Sequence, residues 1–139
     1  MKKILIIDDQ PIMCRHLADQ LNLQFDIEAD VKSEYIYLDK WFEKDYNAVV
    51  LDVMMPFDED FFKDEKSDSP KNELTTGILL FRKIRRKSPK MPVIFYTAIC
   101  SPIECDERTI IIRKPDLASR VAKTINAFIE QCDSIKNKG

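Results

Sequence analysis

Three aspartates follow directly on short apolar runs, at the points where buried strands would end. Asp8 and Asp9 come after "ILII" at 4–7, and Asp52 comes after "AVVL" at 48–51. An ionised carboxylate at the end of a buried segment is costly unless a cation or hydrogen-bond donors compensate it. The three acids therefore predict a site that holds a cation, or else they only cap the helices that follow them.

Two more polar side chains also stand at the ends of apolar runs. Thr97 follows the apolar run at 93–96, and Lys114 follows the apolar residues at 110–112. Continuous β-rich runs of this length are typical of parallel strands covered on both faces. Because the carboxyl ends of parallel strands meet at one edge of a sheet, we expect this hydroxyl and this ammonium group to lie near the three carboxylates.

Such a set of groups has a defined chemistry. Clustered carboxylates repel one another, and a cation between them removes the repulsion. Oxygen ligands without histidine or cysteine favour a hard ion, Mg²⁺ above the softer metals, and bound Mg²⁺ keeps positions open for phosphate oxygens. With Lys114 and Thr97 nearby, Asp52 could accept a phosphoryl group as a covalent acceptor.

Helical patterns alternate with the apolar runs. Pro11 precedes apolar residues at four-residue spacing, Ser33 can cap a second helix, residues 77–87 form a third pattern, and Pro115 precedes the last. The segment 25–31 alternates between apolar and polar residues, which suits an edge strand. The alternation of strands and helices predicts an α/β doubly wound parallel sheet.

Composition limits the class of protein. The chain has 139 residues, 45% of them hydrophobic and 33% charged, which suits one globular domain. No apolar stretch is long enough for a membrane span, and the run near the start is too short for a signal peptide. The net charge of −2 does not favour nucleic acid, and the basic cluster at 82–87 complements a helix C-terminus. The four cysteines form no C-x-x-C pair, so we expect reduced thiols in a cytosolic protein.

Four motifs in order carry a resemblance to a known family. "IIDDQ", "LDVMMP", "YTA" and "RKP" together resemble the receiver domain of two-component response regulators, over about residues 2–132. The resemblance implies a flavodoxin-like five-stranded parallel sheet in the order 2-1-3-4-5. The receiver domain would then cover residues 1–132, and residues 133–139 would be a polar tail with no output domain after it.

The resemblance also assigns a metal site. Asp9 and Asp52 look like direct Mg²⁺ ligands, and the backbone carbonyl of Met54 looks like a third. Asp8 is expected to act mostly through water.

The phosphoryl group is assigned in the same way. Asp52 is similar to the family's phosphoacceptor, Thr97 would bond a phosphoryl oxygen, and Lys114 would pair with the phosphate charge. The bond between Lys114 and Pro115 is expected to be cis, as in the family.

The chain departs from the family between the third strand and the third helix. The insertion at about residues 57–76 is about seventeen residues longer than usual, and a loop of such length is functional or disordered. It carries seven acidic residues against three lysines, and Phe57, Phe61 and Phe62 could pack on the domain or on a partner. Deleting residues 58–73 is expected to spare the fold and slow transfer from a kinase, because long surface loops contribute little to stability.

A second departure follows Thr97. The stretch to Lys114 is about five residues shorter than usual, which leaves room for a shortened fourth helix beginning at the capping box of residues 101–104. Ile111 stands where the family usually has an aromatic residue, so the usual coupling of the threonine to an aromatic side chain does not carry over.

The resemblance implies a cytoplasmic signalling receiver that accepts a phosphoryl group from a histidine kinase or phosphotransfer protein, with Mg²⁺ as cofactor. It would catalyse only its own phosphorylation and hydrolysis, and would signal through an output partner that the sequence does not name. Membranes and nucleic acid are not expected as partners, and a homodimer stays open. One alternative is an interaction module that phosphorylation does not switch. Another is an aspartate-nucleophile phosphohydrolase, disfavoured because Met54 stands where those enzymes carry a second acid.

Overall fold

A five-stranded parallel sheet forms the centre of the protein in a computed structural model, which describes residues 1–65, 72–99, 103 and 105–138. The strand order is β2-β1-β3-β4-β5 and every neighbouring pair is parallel. The predicted doubly wound sheet and its order are therefore confirmed. The strands are β1 (Lys3–Ile7), β2 (Glu28–Lys32), β3 (Ala48–Leu51), β4 (Val93–Thr97) and β5 (Thr109–Arg113).

Helices cover both faces of this sheet. The helices are α1 (Pro11–Phe25), α2 (Leu38–Trp41), α3 (Thr76–Lys87) and α4 (Ala118–Lys138). Helices α1 and α4 enclose one core with alternate residues of the central strands, such as Ile4 and Ile6. Helices α2 and α3 enclose a second core on the opposite face, with Leu5 and Ile7. This two-faced burial explains why the central strands are continuously apolar.

The second helix is shorter than the sequence suggests. It occupies only Leu38–Trp41, with Tyr37 at its N-cap, so the expectation of a helix capped by Ser33 is wrong. Tyr35 instead lies on the loop before α2 and is buried in the second core. Its side chain there contacts the insertion after β3, a tertiary contact that local helix propensity does not include.

The first part of the insertion, residues 57–65, is packed against the domain. Phe62 is 1% exposed and is among the largest fully buried side chains. Its ring lies 4.9 Å from that of Phe61 and 5.4 Å from that of Phe57, measured between centroids. The premise that this segment is a surface loop is wrong for residues 57–65, and we now expect deletion of 58–73 to destabilise the fold because it removes part of the core.

The sequence predicts a shortened fourth helix between β4 and β5, beginning at residues 101–104. Ser101, Pro102 and Glu104 lie outside the described residues. The described residues between these strands form no helix. Ile99 and Ile103 pack partly buried against the second core. At the other end of the chain, the residues predicted as a polar tail are helical through Lys138 as the last turns of α4. None of the helices in the described part of the chain has the length and apolar character that a membrane span requires.

Candidate functional site

The three predicted carboxylates meet at the carboxyl edge of the sheet. Ile7 pairs with Leu51 in the parallel register of β1 and β3, so the residues that follow these two strands emerge side by side. One carboxylate oxygen from each of Asp8, Asp9 and Asp52 lies within 4.8 Å of the others. Three acids this close can share a cation.

Lys114 lies between two of these acids. Its Nζ is 2.5 Å from Oδ2 of Asp8 and 3.3 Å from Oδ2 of Asp52. Its backbone N–H donates to the carbonyl of Thr97 at 2.9 Å, which fixes the loop after β5 to the end of β4. The Lys114–Pro115 bond is cis, as predicted.

The charges of this cluster shift two pKa values. Burial lowers the pKa of Lys114, but the hydrogen bond to Asp8 and the charge of Asp52 outweigh it, so the pKa is raised overall. Burial also raises the pKa of Asp9, and the negative charges of Asp8 and Asp52 raise it further. The lysine is therefore held positive, while the carboxylates repel one another, a balance that favours an additional cation.

Asp8 is the most enclosed of the three acids, with 2% of its surface exposed. Its Oδ1 accepts a hydrogen bond from the Gln10 backbone N–H at 2.9 Å. Its Oδ2 accepts from Lys114 and, at 3.4 Å, from the thiol of Cys14. Both oxygens already have protein partners, so Asp8 has less free capacity for direct metal binding.

Sequence reasoning did not assign Cys14 to the site. Burial raises the pKa of its thiol to about 12, with the charge of Asp8 the next cause, so the thiol stays protonated and donates to that carboxylate. The spacing of apolar residues could have indicated this position, since Cys14, Leu17 and Leu21 form the buried stripe of α1. The buried face of α1 starts four residues after Gln10, and its first member lies against Asp8.

Thr97 and Met54 occupy the positions that the sequence predicts. Thr97 is the last residue of β4 and is 1% exposed, and its hydroxyl accepts a hydrogen bond from the Ile99 backbone N–H at 3.3 Å. Met54 lies on the loop two residues after Asp52, with its side chain exposed. Both residues are therefore at the carboxyl edge of the sheet.

Gly77 lies directly behind Asp52 and was not recognised as a site residue. A Cβ atom at this position would lie 2.1 Å from the carbonyl oxygen of Asp52 and 2.5 Å from the Cα of Val53. The Gly77 N–H donates to the Val53 carbonyl at 2.9 Å. Only glycine allows α3 to begin this close to the loop that carries Asp52. The signal was its rarity, as it is one of only two glycines in the chain.

Tyr35 supports the same loop from the other side. Its hydroxyl donates to the carbonyl of Pro56 at 2.5 Å and accepts from the Asp58 backbone N–H at 2.9 Å. The loop after β3 is thus held by a glycine contact near Asp52 and by a tyrosine hydroxyl a few residues later.

The basic cluster on α3 is engaged within the protein. Arg86 forms two hydrogen bonds to the buried Glu65, and Lys83 lies 4.0 Å from the centroid of the Phe61 ring. Basic side chains that are paired in this way offer little free charge to a nucleic acid. The partners are Phe61 for Lys83, Asp106 for Arg85, Glu65 for Arg86 and Asp39 for Lys87.

Comparison with solved structures identifies the fold. A response regulator receiver domain protein, described as CheY-like, from Methanospirillum hungatei JF-1 aligns over 100% of this chain and 99% of its own, with a TM-score of 0.70 and 19% identity. A response regulator receiver domain from Clostridium thermocellum aligns over 97% and 99%, with a TM-score of 0.68 and 23% identity. The predicted resemblance to receiver domains is confirmed at the level of the fold.

A third similar structure is the response regulator TrrA of Thermotoga maritima, in complex with Mg²⁺ and BeF. It aligns over 92% of this chain and 99% of its own, with a TM-score of 0.64 and 20% identity. No protein-family model and no curated protein matches this chain. The likeness to these structures establishes the receiver fold, and the roles of individual residues depend on the site geometry.

Proposed function

We propose that this protein is a phosphoacceptor receiver in two-component or phosphorelay signalling, phosphorylated on Asp52. The observation that supports it best is the convergence of three carboxylates and Lys114 at one sheet edge. If these aspartates only capped helices, neither a cluster of three acids nor a lysine buried among them would be needed. Three acids around a lysine suit a site that holds a metal ion and a phosphoryl group together.

The residues present fit Mg²⁺. Oxygen atoms are the only donors in the cluster, as this ion prefers. Asp9 and Asp52 would bind it directly together with the Met54 carbonyl, and Asp8 would act through water because Gln10 and Lys114 already occupy its oxygens. When bound, the ion would neutralise negative charge that accumulates during phosphoryl transfer.

In the proposed transfer, a carboxylate oxygen of Asp52 attacks phosphorus. A P–O bond to Asp52 forms as the P–N bond of a donor phosphohistidine breaks, and the imidazole leaves with the bonding electron pair. Lys114 would release part of its interaction with Asp52 and pair with a phosphoryl oxygen, and the Thr97 hydroxyl would donate to another. The rearrangement requires only that the lysine exchange one anionic partner for another.

The donor would be a histidine kinase or phosphotransfer protein, and a separate output partner would detect the phosphorylated form. A cytoplasmic location agrees with the free thiols of Cys14, Cys105 and Cys132 among the described residues. We do not propose activity on external substrates, since Met54 stands where the related hydrolases carry a second acid. A non-switched interaction module is the second candidate, and Ile111, 45% exposed at the usual aromatic position, favours it.

Mass spectrometry with acetyl phosphate and Mg²⁺ tests the proposal. The intact protein should gain one phosphoryl mass, and Asp52→Asn should abolish the gain because the amide is not nucleophilic. Asp9→Ala should reduce the gain by weakening metal binding. Asp45→Asn, at an exposed acid, is the control and should react like the wild type. Labelling that persists in Asp52→Asn would exclude this acceptor, and an unlabelled wild type would favour the interaction module.

A further inference from the structure

A second concave region lies at the amino edge of the sheet, at the opposite end from Asp52. It is a cleft of about 220 Å³ between the beginnings of the strands and the last turns of α4. One length of strand, about 15 Å, separates the two edges. The side chains that matter here belong to Tyr46, Asn47, Lys90, Arg108, Cys132 and Asp133.

Arg108 is the unusual member of this cleft. It is 8% exposed, and its guanidinium makes one long hydrogen bond, 3.4 Å from Nη1 to the carbonyl of Cys132. No carboxylate in the described part of the chain forms an ion pair with it. A guanidinium has five N–H donors, and none of the Arg108 nitrogens is among the fully buried side-chain atoms without a partner in the described residues, so its remaining donors open onto the cleft.

Arg85, at the same edge, is partly buried and shows how this protein surrounds a guanidinium with acceptors. Its side chain donates to four backbone carbonyls, a hydroxyl and a carboxylate, at distances from 2.6 to 3.4 Å. Among the described residues, the Arg108 guanidinium has only the one carbonyl as acceptor. Arg108 therefore keeps accessible donor capacity on the cleft side for an acceptor from outside the chain. The acceptors of Arg85 are Ser88, Pro89, Met91, Asp106, Arg108 and Thr109.

The charges around the cleft favour an anion. Lys90 forms no ion pair within the described residues and lies on the cleft wall. The one acid that lines the cleft, Asp133, already pairs with Lys2 at 3.4 Å. Asn47 accepts from the Lys3 N–H through its side-chain oxygen, which leaves its amide NH₂ as a donor. Two uncompensated cations and one amide donor thus surround the space.

We propose that this cleft binds a small oxyanion of the phosphate class, with Arg108 as its principal ligand and Lys90 as the second cation. The planar guanidinium can donate two parallel hydrogen bonds to such a group, and two positive charges match a dianion. The bound anion would connect the turn before β4, the start of β5 and the end of α4.

Thermal unfolding without Mg²⁺ tests this site. Phosphate, compared with chloride at equal ionic strength, should raise the melting temperature of the wild type in a saturable way. Arg108→Gln should weaken the apparent phosphate affinity about tenfold or more, and Lys90→Gln should weaken it less. Arg113→Gln, at an exposed arginine, should behave as the wild type. Acetate should need a higher concentration than phosphate to saturate, since it carries one charge.

Several outcomes would overturn the inference. One is a wild type that phosphate stabilises no more than chloride, and another is an undiminished phosphate effect in Arg108→Gln. Tighter saturation by acetate would replace the phosphate class with a carboxylate. If the phosphate effect on the melting temperature is lost in Lys114→Gln but kept in Lys90→Gln, phosphate binds at the aspartate edge and not in this cleft. If Arg108→Gln does not fold, the response of Lys90→Gln decides, since Lys90 is exposed. The result is independent of Asp52 labelling, so each proposal can fail alone.

Discussion

The segments after β3 and β4 begin at the same edge of the sheet but are built differently. The one after β3 is long, and its residues 57–65 join the second core through a cluster of phenylalanines. The one after β4 is short, and its described residues contribute only the partly buried Ile99 and Ile103. Apolar side chains, more than length, therefore decide whether a connecting segment becomes part of the fold.

This difference bears on signalling. Under the proposed receiver function, the short connection after β4 would leave less surface there for an output partner, and the packed segment after β3 would offer another surface near Asp52. We propose that the segment 57–76 contributes to partner recognition. Its excess of four negative charges would favour a basic partner, an effect that weakens with salt.

The largest expected effect is at Phe62. Phe62→Ala should lower the free energy of unfolding by about 3–5 kcal/mol, because it leaves a cavity under Tyr35 and the neighbouring rings. Ile103→Ala, the matched change after β4, should cost about 1 kcal/mol, since this side chain is only partly buried. Urea denaturation of both variants measures the difference. Equal losses would show that the two segments contribute alike.

The next effect concerns Glu65, which anchors the end of the packed segment. Arg86→Met should cost about 1–3 kcal/mol at neutral pH, because it leaves a buried carboxylate without its two hydrogen bonds. Lys87→Met, on the same helix, removes a pair to Asp39, whose side chain is 65% exposed, and should cost less than about 1 kcal/mol. Denaturant unfolding at pH 7 compares the two variants.

The pH dependence gives this prediction a second readout. Hydrogen bonds from Arg86 hold the pKa of Glu65 below its ordinary value of 4.5. The pair therefore contributes its full stability above that value, and the contribution is lost as the pH falls through the lower pKa of the folded state. Arg86→Met should remove this acid-side loss. A variant that keeps the wild-type pH profile would show that Glu65 is not held by Arg86.

The sequence could predict the strands and the site because both depend on local pattern and parallel topology. Apolar runs end at Asp8, Asp52 and Thr97, and any parallel sheet places such ends together. The late start of α2 could not be predicted, because the burial of Tyr35 depends on rings about twenty-five residues away in the chain. The same holds for Gly77, whose role appears only when α3 is placed against Asp52.

A smaller effect is expected from the Tyr35 hydroxyl. Tyr35→Phe keeps the ring in the core but removes both hydrogen bonds, to Pro56 and from Asp58, and should cost about 1–2 kcal/mol. Tyr46→Phe is the control, since its hydroxyl donates to Asp30, away from the packed segment. Stability by urea and the rate of Asp52 phosphorylation by acetyl phosphate should be measured together. A slower rate in Tyr35→Phe alone would show that this hydroxyl positions the loop after β3, whereas unchanged stability would show that water replaces it.

The smallest effect is expected from residues 66–71, which lie outside the described part of the chain. Residues 66–71 read "KSDSPK" and carry no large apolar side chain, so replacing them by glycine and serine at equal length should change stability by less than about 0.5 kcal/mol. Phosphorylation of Asp52 by acetyl phosphate should be unchanged. This replacement keeps Phe62 and Glu65 in place, so a slower transfer from the cognate kinase would report recognition and not unfolding. A stability loss above about 1 kcal/mol would instead mean that the packed region extends beyond Glu65. The segment after β3 would then contribute even more to the fold, relative to the segment after β4, than the described contacts show.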